Sequence, residues 1–407
     1  MNAELARDNA VRARCELDIP ALKGKIFLNT ADQGPKPACV HQTMQAIEND
    51  IFLNSPSLVE VYARLHGAVE EARDSLAEFF RAKREETVFV RGIADALNLL
   101  LPGLPLGPGD EVITTDQENP AVLLPLLHGA EERGYTVRYL KIGPDTATTM
   151  EAFTALLGPK TRLAVMSHVS HITGFTLPVR AMSSAARQNG TLTIWDGAQS
   201  AGQMVLEFPE LDCDVYLAAG YKWMLGMHGT SVMLAREEFL ERIRPSAVGV
   251  GAEARVNCNT GEYTLKKGGG KFEFGSRYLP PFAALGAAAQ YMNSWGMETV
   301  SRRVAALRTF FIDRLRNIPG LCLLSPENNA EGSGIVSFTF EDFDAARFVR
   351  EAWEQEKIVI KTRTLCPYMP NWPTGLGVRV SLHFFNTTEE AQALAGRIEH
   401  FARGKNI

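Results

Sequence analysis

Short apolar runs alternate with helix-length segments through the middle of the chain. Several of these runs are apolar at successive positions, as expected of strands that helices cover on both faces. We therefore predict an α/β fold with a mostly parallel, seven-stranded sheet. The predicted strands are Thr87–Arg91, Glu111–Thr114, Val137–Ile142, Arg162–His168, Thr191–Trp195, Asp214–Ala218 and Thr230–Leu234. The predicted helices between them include Asn119–Arg133, Thr149–Leu157 and Val179–Gln188.

The C-terminal part of the sequence changes character and predicts a smaller α+β domain. Its predicted elements are the strands Ile335–Phe340, Lys357–Lys361 and Val378–His383 and the helices Phe343–Gln355 and Thr388–Arg403. We expect four parts along the chain. They are an N-terminal segment (1–26) that packs with the small domain, a large domain (27–280), linking helices (281–317) and the small domain (318–407).

Composition narrows the class of protein. The 407 residues include 42 Lys and Arg against 47 Asp and Glu, which gives a net charge of −5 and argues against a nucleic-acid partner. No apolar run approaches the roughly 20 residues of a transmembrane helix, and the charged N-terminal stretch does not resemble a signal peptide. The six scattered cysteines suit a reduced, cytoplasmic protein. His168 and His171 lack a third nearby ligand, so we expect no metal site.

Two candidate positions follow predicted strands in the large domain. Gly92 turns the chain before a helix that begins near Ile93, and free N–H groups at a helix N-terminus bind phosphate. A plain tight turn is the alternative. Asp196 ends an apolar strand, at the edge where α/β sheets bind ligands. Its carboxylate can pair with a cationic ring nitrogen, or it can simply cap a helix.

Two cationic side chains complete the set. Lys222 follows another apolar strand between Tyr221 and Trp223. Desolvation there would lower the pKa of its amine and free it for Schiff-base chemistry, whereas the alternative is a lysine whose stem covers apolar surface. Arg379 lies at or near the start of a strand in the small domain. Arginine is the natural bidentate partner of a carboxylate, and the alternative is a strand-surface residue.

The order of these features resembles that of the fold-type-I pyridoxal-phosphate enzymes, and among them the class V aminotransferase and cysteine-desulfurase-like family. The resemblance extends from about Phe27 to the C-terminus. Its motifs are Leu28-Asn-Thr-Ala-Asp-Gln-Gly-Pro35, Asp196-Gly-Ala-Gln199, Gly220-Tyr-Lys222, Lys271-Phe-Glu-Phe-Gly-Ser-Arg277 and Val378-Arg-Val-Ser-Leu-His-Phe-Phe-Asn-Thr387. It implies the PLP-transferase fold of type I, the cofactor pyridoxal 5'-phosphate (PLP) and an amino-acid substrate.

The resemblance also implies roles for individual residues. Lys222 would carry the cofactor and move the proton at Cα, while Asp196 would keep the pyridine nitrogen protonated. Arg379 would bind the substrate α-carboxylate. Ser276 would reach the phosphate of the neighbouring subunit, which implies a homodimer with shared active sites. The remaining implied cofactor contacts are the phosphate-binding turn Gly92, Ile93 and Ala94, the ring-oxygen ligand Gln199, and Asn119, His171 and Tyr221.

Three positions depart from the family pattern. Asn119 occupies the place of a ring that stacks on the cofactor, and Tyr221 replaces the histidine of the desulfurase motif S-G-H-K. His171 occupies the place of an asparagine, and we expect it to contact the cofactor or the substrate carboxylate and to titrate near neutrality. A plain loop histidine is the alternative. These departures favour the isopenicillin-epimerase-like branch over a standard cysteine desulfurase.

Cys366 lies near the place of the persulfide-forming cysteine of desulfurases. Arg363 is close in sequence, but counted from Arg363 the family spacing R-T-G-x-x-C is not reproduced. A nucleophilic cysteine needs thiolate character and access. We therefore expect a loop cysteine without catalytic duty.

The sequence thus predicts a PLP-dependent enzyme that acts at Cα of an amino acid, in specialised metabolism. Transamination, epimerisation, decarboxylating deamination and C–S lysis remain open as the reaction. A cysteine desulfurase that passes sulfur to a partner is the first alternative. A PLP-fold binding protein without turnover is the second, and the presence of Lys222, Asp196 and Arg379 together argues against it.

Overall fold

The computed structural model describes residues 2–364 and 375–404. The helices are α1 Asn2–Asp18, α2 Ala38–Asn54, α3 Val59–Phe80, α4 Ile93–Leu100, α5 Pro120–Arg133, α6 Thr146–Leu156, α7 Val179–Gln188, α8 Glu237–Arg242, α9 Pro280–Trp295, α10 Met297–Leu315, α11 Ala345–Glu356 and α12 Thr388–Gly404. The strands are β1 Ile26–Phe27, β2 Thr87–Val90, β3 Glu111–Thr115, β4 Thr136–Leu140, β5 Thr161–Ser167, β6 Leu192–Asp196, β7 Val215–Ala219, β8 Ser231–Ala235, β9 Glu253–Asn257, β10 Glu262–Leu265, β11 Leu321–Leu323, β12 Ile335–Phe340, β13 Ile358–Val359, β14 Lys361–Thr364 and β15 Leu376–Ser381.

A seven-stranded sheet in the order β2-β8-β7-β6-β5-β3-β4 forms the centre of the fold. The strand β8 runs antiparallel to both of its neighbours, and the other pairs are parallel. The predicted α/β class and the mostly parallel, seven-stranded sheet are therefore confirmed. Each of the seven strands predicted for this sheet matches an observed one to within two residues at either end.

Helices cover both faces of this sheet, which explains the continuous apolar strands. In β5, Ala164 and Met166 pack into one large hydrophobic cluster, whereas Leu163 and Val165 pack into a second cluster on the opposite face. Successive residues of a strand point to opposite faces, so a strand buried on both sides must be apolar throughout. On one face the helices α3 and α9 approach so closely that a Cβ on Gly286 would lie 2.5 Å from the Cα of Ala72.

A second sheet, in the order β11-β12-β15-β14, is antiparallel. It packs with α10, α11 and α12 around a separate hydrophobic cluster that includes Phe311, Phe338 and Phe348. This α+β unit carries Arg379 in β15, and the predicted strand Ile335–Phe340 is observed with the same bounds. The exact boundaries between the expected domains stay a prediction.

The predicted strand Lys357–Lys361 is wrong in its details. Lys357 ends α11 in a left-handed conformation (φ 57°), so no strand begins there. The residues that follow divide between two sheets. Ile358 and Val359 pair in parallel with β1 from the N-terminal part of the chain, and β14 begins at Lys361 and pairs with β15.

The hairpin β9–β10 was not predicted from the sequence. Its residues are exposed or half-buried, with no residue of either strand buried. Without a buried face, a strand shows no alternation of apolar and polar positions. Within the described residues, no helix has both the length and the apolar character to cross a membrane, and no group of His, Cys, Asp and Glu side chains is arranged to hold a metal ion.

Candidate active site

The candidate residues of the large sheet meet at the carboxyl ends of its parallel strands. Asp196 is the last residue of β6, Lys222 follows the end of β7 by three residues, and Gly92 follows the end of β2. In α/β folds this edge of the sheet binds ligands, because the turns there expose helix N-termini and loop side chains. Arg379, in β15 of the second sheet, also lies near this edge. It is close enough to Lys222 for its charge to lower the pKa of the amine.

Contacts on both sides fix the backbone around Lys222. The N–H of Gly34 donates to the carbonyl of Tyr221 over 2.9 Å, and a Cβ on Gly34 would lie only 2.1 Å from the carbonyl oxygen of Lys222. On the other side, Nδ1 of His383 accepts from the N–H of Phe384, so its Nε2–H donates to the carbonyl of Trp223 at 2.9 Å. The short distance between Gly34 and the carbonyl oxygen of Lys222 leaves no space for a Cβ, so position 34 requires glycine.

Burial lowers the pKa of the Lys222 amine to about 8. The carboxylate of Asp196 opposes this change, whereas the guanidinium groups of Arg379 and Arg363 add to it. A pKa near 8 leaves about one amine in ten neutral at pH 7, compared with fewer than one in a thousand for an ordinary lysine. The environment therefore activates Lys222 as a nucleophile.

Asp196 is a buried carboxyl group, only 5% exposed. Burial raises its pKa, and three partners oppose the rise: the Lys222 amine, the N–H of Ala198, which donates to Oδ1 over 2.8 Å, and the hydroxyl of Ser167. A carboxylate in this position gains more from a cationic partner than one in water, because the screening is weak. The environment of Asp196 therefore suits pairing with a protonated ring nitrogen.

The amide of Gln199 is held in one orientation. Its Oε1 accepts from the indole N–H of Trp223 over 2.8 Å, and its Nε2 donates to the carbonyl of Ala31 over 3.0 Å. An amide nitrogen carries two hydrogens. The second hydrogen remains for a ligand oxygen, which is the role that the family resemblance implies.

Arg379 is a fully buried guanidinium with donors to spare. It is 2% exposed, and its Nη1 donates to the carbonyl of His171 over 3.2 Å. Its Nε and Nη2 have no hydrogen-bond partner within the described residues. These two nitrogens form one edge of the planar guanidinium, the geometry that binds a carboxylate with two parallel hydrogen bonds. A buried charge is costly without a partner, so the site is built for an anion.

His171 lies beside Arg379 with an unpartnered ring nitrogen. Burial lowers its pKa well below the ordinary value, and Arg363, Arg379 and Lys222 lower it further. The expectation that His171 titrates near neutrality is therefore wrong, because three cations and a dry environment keep the ring neutral. The ring bonds to the backbone of Gln117, and Nδ1 has no partner within the described residues. Nε2 therefore carries the proton, and Nδ1 is a free acceptor.

The expected phosphate site lies at the start of α4. Gly92 is the N-cap of this helix, and no side chain caps it, so the first N–H groups, those of Ile93 and Ala94, fall outside the helical hydrogen-bond ladder. Ser276 of the same chain lines a cavity of about 520 Å³ with residues that flank this turn, among them Arg91 and Asp95.

The remaining predicted residues have structural partners of their own. Asn119 is the N-cap of α5, and its Oδ1 accepts from the N–H of Ala121 over 2.9 Å, so capping explains an asparagine at this position. The ring of Tyr221 packs edge-on against His228, with the ring centres 4.6 Å apart. A contact of Asn119 or Tyr221 with the cofactor stays a prediction. Cys366 lies outside the described residues.

Two acidic groups near the site were not predicted from the sequence. The carboxylate of Asp32 pairs with the Lys361 amine over 2.8 Å and also acts on Arg379 and Lys222. The carboxyl group of Glu118 is buried beside Ser167. Its sequence signal is an acidic residue directly before the predicted helix Asn119–Arg133.

These residues fit PLP. The cofactor requires a reactive amine, a carboxylate for its ring nitrogen, a donor for its ring oxygen and a helix N-terminus for its phosphate. The chain offers Lys222, Asp196, Gln199 and the first turn of α4 for these functions. The unpartnered edge of Arg379 then remains for the carboxylate of a substrate.

The pKa of Lys222 can be tested on the cofactor-free protein. The rate at which a small acylating reagent modifies Lys222 should rise with pH through a midpoint near 8, read by peptide mass spectrometry. Asp196→Asn should move this midpoint to lower pH, because the carboxylate that stabilises the ammonium form is lost. The exposed Lys160 in the same sample supplies the reference rate. A Lys222 midpoint above 10 would contradict the environment described here.

Comparison with known proteins agrees with this geometry. The profile of the family described as Aminotransferase class-V matches residues 26–394. A cysteine desulfurase of Pectobacterium carotovorum subsp. carotovorum (strain PC1) is 28% identical over 406 residues, covering 96% of this chain and 98% of the relative. A probable cysteine desulfurase of Halalkalibacterium halodurans is 28% identical, with 92% of each protein covered.

Solved structures give the same result. The cystine C–S lyase C-DES in complex with its reaction product cysteine persulfide is 27% identical, with a TM-score of 0.84 and coverage of 94% of this chain and 99% of that one. The apo cysteine desulfurase of Thermococcus onnurineus NA1, at 24% identity, matches in fold with a TM-score of 0.88 and coverage of 96% and 98%. These names give no support to the isopenicillin-epimerase-like branch. The chain belongs to the aminotransferase class V family and is a PLP-dependent enzyme that acts on an amino acid.

Proposed function

We propose that this enzyme cleaves the C–S bond of cysteine or of an S-substituted cysteine. An amino-acid substrate is supported by one observation: the buried Arg379, near Lys222 and Asp196, has an unpartnered Nε–Nη2 edge that can bind a carboxylate. The sulfur part is supported by two similar proteins, the cystine C–S lyase and the Pectobacterium cysteine desulfurase. The unpaired cysteines of the described residues support a cytoplasmic location.

When bound, PLP supplies an electron-withdrawing ring that makes the proton at Cα of an attached amino acid acidic. In our proposal, the Lys222 amine holds the cofactor and, once released, takes this proton. Asp196 keeps the ring nitrogen protonated, and Gln199 donates its second amide hydrogen to the ring oxygen. The N–H groups of Ile93 and Ala94 bind the phosphate at the N-terminus of α4.

The neutral ring of His171 restricts what it can bind, and its expected contact with the cofactor stays a prediction. A neutral ring whose Nδ1 accepts cannot donate a hydrogen bond to a carboxylate. It suits a donor group of the substrate, such as a thiol or an amine. Arg379 is then left to bind the α-carboxylate through two parallel hydrogen bonds, and the two side chains recognise opposite kinds of group.

Substitution of Arg379 tests the carboxylate contact. Arg379→Lys should lower kcat/KM by roughly 10-fold and Arg379→Ala by up to about 150-fold, since a charge-assisted contact contributes about 1.5–3 kcal/mol. The amount of bound PLP, read from its visible absorption, should not change. Arg308→Lys makes the same substitution at another buried arginine and should leave kcat/KM unchanged. Loss of PLP from the Arg379 variants would contradict the assignment.

A cysteine desulfurase is the second candidate, and one feature favours it. Counted from Lys361, where β14 begins, the segment to Cys366 has the spacing of the desulfurase motif R-T-G-x-x-C, with lysine in place of arginine and Arg363 in place of glycine. Against it stand Asn119, which has no ring, and Tyr221, which replaces an imidazole.

Cys366→Ser separates the two candidates. A C–S lyase acts through Cα, so the variant should keep most of its release of sulfide or persulfide from cysteine and cystine, measured with pyruvate as the co-product. A desulfurase would lose essentially all sulfur release and alanine formation, because a thiolate must attack the substrate sulfur. Cys258→Ser, at an exposed free cysteine, is the matched control. An inactive Cys366→Ser with an unchanged cofactor spectrum would establish the desulfurase.

We also propose a homodimer in which Ser276 completes the phosphate site of the partner. The position of Ser276 in the family motif supports this. Mixed dimers of Lys222→Ala and Ser276→Glu chains are the test. If sites are shared, each mixed dimer regains one intact site, formed by Lys222 of one chain and Ser276 of the other. Mixed dimers without recovered activity would show that each site is built from one chain.

A further inference from the structure

Glu118 is a buried carboxyl group, 6% exposed, in the turn between β3 and α5. Its Oε1 accepts from the hydroxyl of Thr115 over 2.7 Å and from the N–H of Ser167 over 2.9 Å. Its Oε2 lies 2.5 Å from the hydroxyl of Ser167. The groups that bond to it are neutral, and no cation pairs with it within the described residues, which is unusual for a buried acid.

Ser167 connects this carboxyl group to the active site. It is the last residue of β5, directly opposite Asp196 in β6. Its hydroxyl bonds to Glu118 and also lowers the pKa of Asp196, so it lies between the two acids. A hydroxyl has a single hydrogen. It can donate to only one of the two carboxylates at a time, so the three groups form a chain whose direction depends on where the protons are.

Both the protonated and the ionised form of Glu118 are accessible at physiological pH. Burial raises its pKa to about 7, the hydroxyls and N–H of Ser167 and Thr115 oppose the rise, and the charge of Asp196 adds to it. These groups belong to β3, β5 and β6, the elements that surround the carboxyl group. Glu118 and Asp196 are like charges in a dry environment, which favours a single proton between them.

We propose that Glu118 is a positioning residue for Asp196 and acts through the Ser167 hydroxyl. When protonated, Glu118 donates to Oγ of Ser167, and Ser167 donates to Asp196. When Glu118 releases its proton to solvent, the Ser167 hydroxyl turns toward Glu118, and Asp196 loses a hydrogen bond. The inference rests on the proposed role of Asp196 at the ring nitrogen of PLP.

The direction of the effect follows from the two states. At low pH the hydrogen bond from Ser167 stabilises the Asp196 carboxylate and makes it less basic. At higher pH Asp196 loses that bond and gains a negative neighbour, so it becomes more basic and holds the ring-nitrogen proton more firmly. The ring nitrogen should therefore report a titration near pH 7 that belongs to Glu118.

The experiment uses the holoenzyme loaded with PLP labelled with ¹⁵N in the ring, and the ¹⁵N shift is followed from pH 5.5 to 9. The wild type should show a step near pH 7. The step should be absent in Glu118→Gln, which cannot ionise, and smaller in Ser167→Ala, which removes the hydroxyl between the two acids but leaves the charge of Glu118. Glu331→Gln is the matched control, since Glu331 is also buried and accepts from the hydroxyl and N–H of Thr146.

The outcomes are distinguishable. A step that survives in Glu118→Gln, or one of unchanged size in Ser167→Ala, would overturn the inference, and so would its loss in Glu331→Gln. If Glu118→Gln fails to fold, Ser167→Ala alone decides between the same outcomes. Asp196→Asn tests the proposed function separately. An unchanged ¹⁵N shift in Asp196→Asn would show that Asp196 does not contact the ring, whatever Glu118 does.

Discussion

The attraction between the Lys222 amine and the Asp196 carboxylate is the interaction on which the rest of the site depends. Burial lowers the pKa of Lys222 and raises the pKa of Asp196, which favours the neutral form of each group. The charge of each group opposes the shift of the other. The balance produces an amine that is reactive near neutral pH and a carboxyl group that needs a cation. It works only if β6 and β7 deliver both groups to one place, which the parallel register of these strands does.

The other charges follow from this pair. Arg379, Arg363 and Lys222 surround His171, so the substrate side of the site carries an excess of positive charge. Asp32, which pairs with Lys361, offsets only part of it. A site with this balance favours anionic molecules and disfavours a substrate without a carboxylate. The excess of positive charge also keeps the ring of His171 neutral, although this ring lies among the charged groups of the site.

Much of the fold could be predicted because its signals are local. The seven strands of the large sheet are apolar on both faces, and the helix Val179–Gln188 was predicted with its observed bounds. The failures have physical causes. The split at Lys357 depends on a pairing with β1, more than 300 residues earlier in the chain, and the hairpin β9–β10 has no buried face.

The site was predictable to the extent that residue type determines chemistry. Lys222, Asp196 and Arg379 stood out because a carboxylate and an amine at the ends of two strands and a guanidinium in a third strand rarely occur together for structural reasons alone. The neutral state of His171 could not be predicted, because it depends on three cations from distant parts of the chain. Glu118 was missed for a similar reason, since its partner Ser167 lies 49 residues further along the chain.

The segment that follows β1 mechanically couples the two sheets. Ile26 and Phe27 pair with β13, Ala31 accepts from Gln199, and Gly34 bonds to Tyr221. Within nine residues, this short stretch, which turns at Thr30 to Asp32, thus contacts an edge beside the small sheet and both the amide and the lysine loop of the active site. A rotation of the small sheet that carried Arg379 toward or away from the substrate would pull on this tether. The stretch therefore limits how far the site can open without disturbing Lys222.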